Sequence, residues 1–295
     1  MAQKISRIPR FKYLVVIAVI ALLAVLGFTL WRRVYRDGLR VTALNVGQGD
    51  AIFVEFPSGQ RWLIDGGPDA AVIAELDRLT ALSERRLTGL ILTHPHADHV
   101  TGLIYVLRRY QVDRILMPAA THTTPEFLTF LEEMRSTGIS VTPVNHPFVW
   151  SGVDNGVVWR WEFLYPEKEF PEPVRDLNDV SVVSRLTFGR QSFLFMGDAS
   201  TEIEKLIMAE GRDLRSSVLK IGHHGSASSS GDEFIQAVKP SYAVISVGAN
   251  NRFGHPAPST VKKLLEADVG LYRTDERGWI QFRSDGKSLT VLSER

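Results

Sequence analysis

Three histidines and an aspartate fall within six residues of the stretch THPHADHVTG, Thr93–Gly102, directly after the apolar run Leu90–Leu92. At the end of an extended strand, residues two apart point to one side. His94 and His96 therefore face one cation together. Asp98 lies where the chain begins to turn, and His99, opening the next helix, turns toward a second cation. Imidazole nitrogen with carboxylate oxygen suits zinc, manganese or iron. The chain has no cysteine, which excludes disulfides, thiolate metal sites and cysteine nucleophiles. Gly-x-Ser-x-Gly is absent, and GQG at Gly47–Gly49 is followed by no Gly-Lys-Ser/Thr, so neither a serine-hydrolase elbow nor a phosphate-binding loop is written here.

The elements that must position these groups follow from the hydrophobic pattern. LRVTALNVGQGDAIFVEF and QRWLIDGG read as strands, the last two joined by a tight Ser58-Gly59 turn. DAAVIAELDRLTAL has helical spacing, LTGLILTH is a buried strand, and VTGLIYVLRRY restarts a helix. A strand VDRILMP precedes a helix that begins near Pro125 and ends near Gly138. DVSVVSRLTFG and QSFLFMGDAS form a hairpin around Gly189-Arg190. Helices then alternate with the strands SSVLKIGHHGS and YAVISVGAN, and two final strands close the chain. The stretch from Pro143 to Asp179, rich in Pro, Trp and acids, reads as irregular apart from the strand VVWRWEFLYP and is the expected loop near a substrate. Early antiparallel strands followed by alternating helices and strands predict two mixed sheets with helices outside, a four-layer αβ/βα sandwich over residues 39–295.

Residues 1–36 differ in kind. Tyr13–Trp31 is an uncharged run of 19 residues flanked by basic residues on both sides. At about 1.5 Å per residue it nearly crosses a hydrocarbon core of about 30 Å, which predicts a retained transmembrane anchor with the remainder outside the cytoplasm. The first 36 residues hold 7 Lys/Arg and no acid, leaving 27 basic against 33 acidic residues in the rest, a net of −6. That charge does not advertise a broad nucleic-acid-binding face, and leaves room for a local basic groove.

The motif H-x-H-x-D-H at His94–His99 resembles the metallo-β-lactamase superfamily. LNVGQGDAIFVEF, LIDGGP, LTHPHADHVTGL, LNDVSVVSRL, FLFMGD, VLKIGHHGS and FGHP occur in that order and resemble the extracellular hydrolase domain of the ComEC/Rec2 DNA-uptake proteins. The resemblance covers roughly Leu39–Arg295. It implies the metallo-β-lactamase fold and two divalent ions, Zn²⁺ or Mn²⁺, bridged by Asp198, with Gly197 leaving room for a close backbone approach. In the hairpin register Asp198 faces Ser181, which puts Asp179 on the same face; the resemblance makes Asp179 the further ligand, since His122 and His146 sit at no clear strand end. From GHHG, His224 or His223 supplies the last ligand, with His224 the first choice, and the other His contacts substrate. Asp98 orients the attacking water, and His255 holds a phosphate or protonates a leaving group. Asp65 orients a ligand imidazole, and Asp50 is structural. The implied activity is hydrolysis of phosphodiesters, with DNA the expected substrate. The alternatives are another ester (choline phosphate, thioester or lactam), from which GHHGS and Asp179 turn away the last two, and a non-catalytic scaffold in an uptake complex.

Overall fold

The computed structural model describes residues 10–35, 38–80, 84–120, 122–170, 174 and 176–295. Contacts divide the chain into two units, residues 1–38 and 39–295. In the first, α1 (Arg10–Tyr35) is a helix of 26 residues whose described side chains, Tyr13 to Gly27, are exposed. Among the described residues no helix is long and apolar enough to cross a membrane, so the expected anchor rests on the uncharged run alone.

The second unit contains two large sheets. Strands β1 (Leu39–Ala43), β2 (Ile52–Glu55) and β3 (Arg61–Ile64) form an antiparallel meander, with Gly59 at φ 92° in the expected turn. After α2 (Ala71–Leu79) and the short β4 (Arg86–Leu87), β5 (Gly89–Ile91) joins β3 in parallel. Then come α3 (Ala97–Arg109), β6 (Gln111–Val112), β7 (Arg114–Pro118), α4 (Pro125–Thr137) and β8 (Ser140–Val144). The helix α4 starts on Pro125 and stops at Gly138, which takes the left-handed conformation that glycine adopts without steric cost. The hairpin β9 (Phe148–Asp154) and β10 (Val157–Tyr165) leads to a second, β11 (Val183–Phe188) and β12 (Gln191–Phe195). Next are α5 (Thr201–Ala209), β13 (Val218–Lys220), α6 (Asp232–Val238), β14 (Tyr242–Ile245), α7 (Pro258–Glu266), β15 (Gly270–Arg273), the short α8 (Thr274–Arg277), β16 (Ile280–Ser284) and β17 (Leu289–Ser293).

One sheet has eight strands in the order β17-β16-β1-β2-β3-β5-β7-β8; the other has seven, β15-β14-β13-β12-β11-β10-β9. Alternate strand residues go to opposite faces. Val41, Val54, Trp62, Phe163, Phe193 and Phe282 meet between the sheets. Phe53, Leu63 and Leu90 pack outward under Leu76, Leu103 and Phe130 of α2, α3 and α4. Leu194, Leu219 and Ala243 pack under Ile203, Phe234 and Leu264 of α5, α6 and α7. Those three apolar clusters make the four layers that the alternation of elements predicted.

The structure corrects three expectations. The span Pro143–Asp179 is not one irregular loop: residues 148–154 form β9, paired along its whole length with β10. Its Trp residues belong to a core, since Trp150 contacts Trp62 and Phe163. The end of the chain holds three strands, and they separate: β15 joins the seven-stranded sheet, while β16 and β17 join the eight-stranded one. Finally, β11 begins at Val183, not at Asp179. Residues Leu177–Val180 form a 3₁₀ turn closed by the Asp176 side chain, which accepts from Asn178 N–H at 2.9 Å, and this local bond competes with strand pairing.

Candidate metal centre

The ends of β5, β12 and β13 lie at one edge of the sandwich, and the chemistry-bearing residues follow each of them. Thr93–His96 leave β5 extended, and α3 starts at Ala97 with His96 as its N-cap. Asp98 and His99 thus stand in the first helical turn. Tight packing holds that turn: Gly102 leaves no space for a side chain, because a Cβ there would lie 1.8 Å from the Gly66 carbonyl oxygen. After β12, Gly197 adopts φ 53°, and a Cβ would lie 3.0 Å from Thr93 Cβ and 3.2 Å from Ser181 Cβ. The expected close approach is therefore present, and it places Asp198, whose N–H donates to Ser181 Oγ at 3.1 Å. The hairpin register that predicted this neighbour holds, with Phe188 opposite Gln191.

After β13 the chain makes a sharp turn rather than continuing the expected strand. His223 and His224 have φ of 47° and 51°. Non-glycine residues in this region cost on the order of 1–3 kcal/mol each and concentrate at functional sites. The turn buries His224 and leaves His223 partly open to solvent. Asp65, after β3, is also left-handed at φ 57°.

Four donors converge. His99 Nε2 lies 3.4 Å and His224 Nε2 3.6 Å from Asp198 Oδ2, and His224 Nε2 lies 3.3 Å from Asp98 Oδ2. His94 Nε2 is 3.9 Å from the same Asp198 oxygen and 2.9 Å from His96 Nδ1. Groups able to hold a cation include His94, His99 and Asp198 together, and Asp98, His99 and His224 together. His223 Nε2 stands 3.9 Å from Asp198 Oδ2 but enters none of these groups. Asp179 enters none either; it accepts from Ser200 Oγ at 3.5 Å, and its backbone carbonyl accepts from the Tyr165 hydroxyl at 2.9 Å. His122 and His146 bond locally to Thr124 and Asn145 and are elsewhere.

The surrounding bonds fix how each ring presents itself. Asp65 accepts from His99 Nδ1 at 2.8 Å and from the Thr93 amide and hydroxyl, both at 2.7 Å. His224 Nδ1 donates to the Ser246 carbonyl at 2.9 Å and lies 3.4 Å from Asp50 Oδ1. In both rings Nδ1 is engaged by these oxygens, so Nε2 faces the cluster. Lys220 Nζ pairs with Asp50 at 2.8 Å, and both are buried. The Lys220 charge holds Asp50 at about 2, against the upward push of burial.

Three atoms at the centre, His99 Nε2, His224 Nε2 and Asp198 Oδ1, are buried and have no hydrogen-bond partner. Each such orphan costs about 1–3 kcal/mol. They surround a point rich in negative charge. Burial opposes protonation of His224, yet Asp198, Asp50 and Asp98 outweigh it and lift the ring to about 10; burial, Asp198 and Asp65 oppose one another in the same way at His99, which ends well above its ordinary value. An excess of oxygen charge, two buried Nε2 atoms aimed at one point, whose protons a metal ion would displace, and an unpartnered carboxylate oxygen fit a divalent cation. On the open side, a cleft of about 200 Å³ is lined by Gln48, His96, His223, Phe253 and His255, with Asp98, Asp198 and His224 at its floor. The His223 and His255 rings are 5.6 Å apart.

Besides Gln48 on the cleft wall, two residues of this site carried no assignment from sequence. Lys220 is one, and its signal was a lone lysine in the apolar strand SVLKIG, where alternation with Val218 turns it inward. Phe253 is the other; it stood in FGHP with no pattern to distinguish it.

Residues 44–249 match the metallo-beta-lactamase superfamily, and the chain belongs to it. It is 32% identical over 260 residues to ComE operon protein 3 of Bacillus subtilis (strain 168), covering 82% of this chain and 33% of that protein. To competence protein ComA of Neisseria gonorrhoeae it is 31% identical over 265 residues, 89% of this chain and 35% of that one. The chain thus spans about a third of the length of these curated relatives. In fold it is similar to the metallo-beta-lactamase fold protein YhfI from Bacillus subtilis, with a TM-score of 0.52 and 12% identity over 87% of this chain and 99% of that one. Igni18, a metallo hydrolase from Ignicoccus hospitalis, gives a TM-score of 0.51 and 12% identity over 86% and 98%. The fold is that of a metal-dependent hydrolase.

Proposed function

We propose that the chain hydrolyses phosphodiesters with two divalent cations, Zn²⁺ or Mn²⁺, and that its substrate is DNA. The observation that carries this reading is the convergence of Asp98, His99, Asp198 and His224 around unpartnered buried donors, in a chain similar to proteins named for competence. His94, His96, Asp179 and Asp198 would hold one cation; Asp98, His99, His224 and Asp198 would hold the other. When bound, such a pair supplies Lewis acidity and makes water a nucleophile near neutral pH.

The chain's own residues do the rest. Asp65 and Asp50 keep the His99 and His224 rings in the tautomer that aims Nε2 inward. Asp98, half in the cleft, orients the attacking water. His223 and His255 stand on the open side, where they hold the phosphate oxygens, and His255 donates a proton to the leaving oxygen. The uncharged run Tyr13–Trp31 supports a single-pass anchor that holds residues 39–295 at a membrane, on its extracytoplasmic side.

The test uses the full chain loaded with Zn²⁺ or Mn²⁺, followed on bis-p-nitrophenyl phosphate and on labelled single- and double-stranded DNA, beside Asp198→Ala. Metal-dependent cutting that disappears in Asp198→Ala is expected. Two bound metals with no cutting of any of these substrates would overturn the reading in favour of another ester or a binding role.

A further inference from the structure

The loop after β14 holds a feature that hydrolysis alone does not need. Phe253 is 54% exposed, yet it lines the cleft above Asp198 and His224. The exposure is built in. Asn251 braces the loop: its Nδ2 donates to the Gly248 carbonyl at 3.0 Å and to the His255 carbonyl at 2.7 Å, while its Oδ1 accepts from the N–H of Phe253 at 3.2 Å and of His255 at 3.0 Å. A chain so braced holds the ring in water instead of burying it, forgoing the hydrophobic gain. The His255 ring lies nearly parallel to Phe253, at 14° with centroids 6.0 Å apart, and the Arg252 guanidinium sits over the Phe253 ring, 5.0 Å from its centroid.

An exposed ring held at the mouth of a cleft, with the exposed Arg252 guanidinium over one face, is a pattern that receives an unstacked base on the ring while the cation swings to the adjoining phosphate. A quaternary ammonium headgroup would also seek an aromatic face, but here it would meet the like charge of Arg252. A base within a duplex is stacked on its neighbours and reaches such a ring only by leaving the helix.

We propose that Phe253 and Arg252 form a nucleobase subsite, in which one base of a single strand stacks on Phe253 and Arg252 contacts the adjoining phosphate. This rests on the phosphodiesterase reading and names its substrate as single-stranded rather than duplex DNA.

The experiment compares two short single-stranded oligonucleotides of equal length, one with bases and one made of abasic residues, as substrates of the Mn²⁺-loaded full chain. Fluorescence anisotropy measures binding of the same two strands without added metal. Wild type should show a KM about tenfold or more lower for the strand with bases. In Phe253→Ala the ratio of the two KM values should fall toward one, and in Phe253→Trp it should be retained. A ratio that Phe253→Ala leaves unchanged, or a wild type indifferent to bases, overturns the subsite while leaving the phosphodiesterase reading intact. If wild type with bound metal cuts neither strand, that reading fails instead. Anisotropy then decides the subsite: tighter binding of the base-bearing strand by wild type than by Phe253→Ala supports it, and equal binding overturns it.

Discussion

The two proposed cation sites, an inner and an outer half, are built differently. In the inner half, Asp98, His99 and His224 approach one point, and each imidazole is backed by a buried carboxylate, Asp65 or Asp50, the latter neutralised by buried Lys220. At the proposed outer site, His94 and His96 meet through ring nitrogens 2.9 Å apart, while Asp179, its proposed further ligand, sits on a 3₁₀ turn with only a long 3.5 Å bond from Ser200 to its side chain. Asp198 lies between, within 3.4–3.9 Å of His99, His224 and His94. A ligand set by a buried network is fixed before any cation arrives. A ligand on a partly exposed turn is ordered by the cation itself and bears the entropy of that ordering.

Asp198→Ala should break both halves at once. Hydrolysis is expected at background, with bound metal by elemental analysis falling well below two per chain; full occupancy would show that Asp198 bridges nothing. Lys220→Met strikes the inner half through its support. It leaves the buried Asp50 carboxylate with only the His224 ring beside it, which should lower stability by about 3–5 kcal/mol in denaturant unfolding, and Asp50→Asn in the same chain should recover much of the loss. No recovery would mean that Lys220 matters only for packing.

Asp65→Asn should weaken binding of the inner cation by about 10–100-fold. Asp179→Ala should weaken only the outer cation, with titration resolving one site of unchanged affinity. Equal weakening of both sites by Asp179→Ala would remove the distinction between the halves.

The smallest effect lies outside the centre. Burial pushes Glu204 up to about 7, against the downward pull of the Gly231 and Ser230 N–H groups, which donate to it at 2.9 and 2.5 Å. The folded state therefore holds its proton more tightly than the unfolded state. This contribution to stability is fully present below about 4.5 and is lost as pH rises toward 7. The melting temperature of wild type relative to Glu204→Gln should fall across that window; a flat difference would show that the two N–H donors keep Glu204 ionised throughout.

Much of the centre was legible because its residues are clustered or carried at strand ends. His94, His96, Asp98 and His99 fall within six residues, and the β11–β12 turn gave the register that brings Asp198 to Ser181. The Asp179 placement was less secure, because the register argument assumed a strand where Asp176 closes a turn. The aromatic stretch Phe148–Asp154 was unreadable as a strand for a related reason: its inward residues pack on Trp62 and Phe163, which are remote in sequence.

The sequence by itself determined the residue types, the order of elements and the local spacing, since periodicity and turn chemistry act over a few residues. Only the tertiary structure decided that His224 is buried between Asp198 and Asp98 while His223 stays on the open side, that Lys220 neutralises Asp50, and that Phe253 stands at the mouth of the cleft. Those choices depend on two successive left-handed residues and on contacts between strands that are far apart in the chain, and no local pattern encodes them.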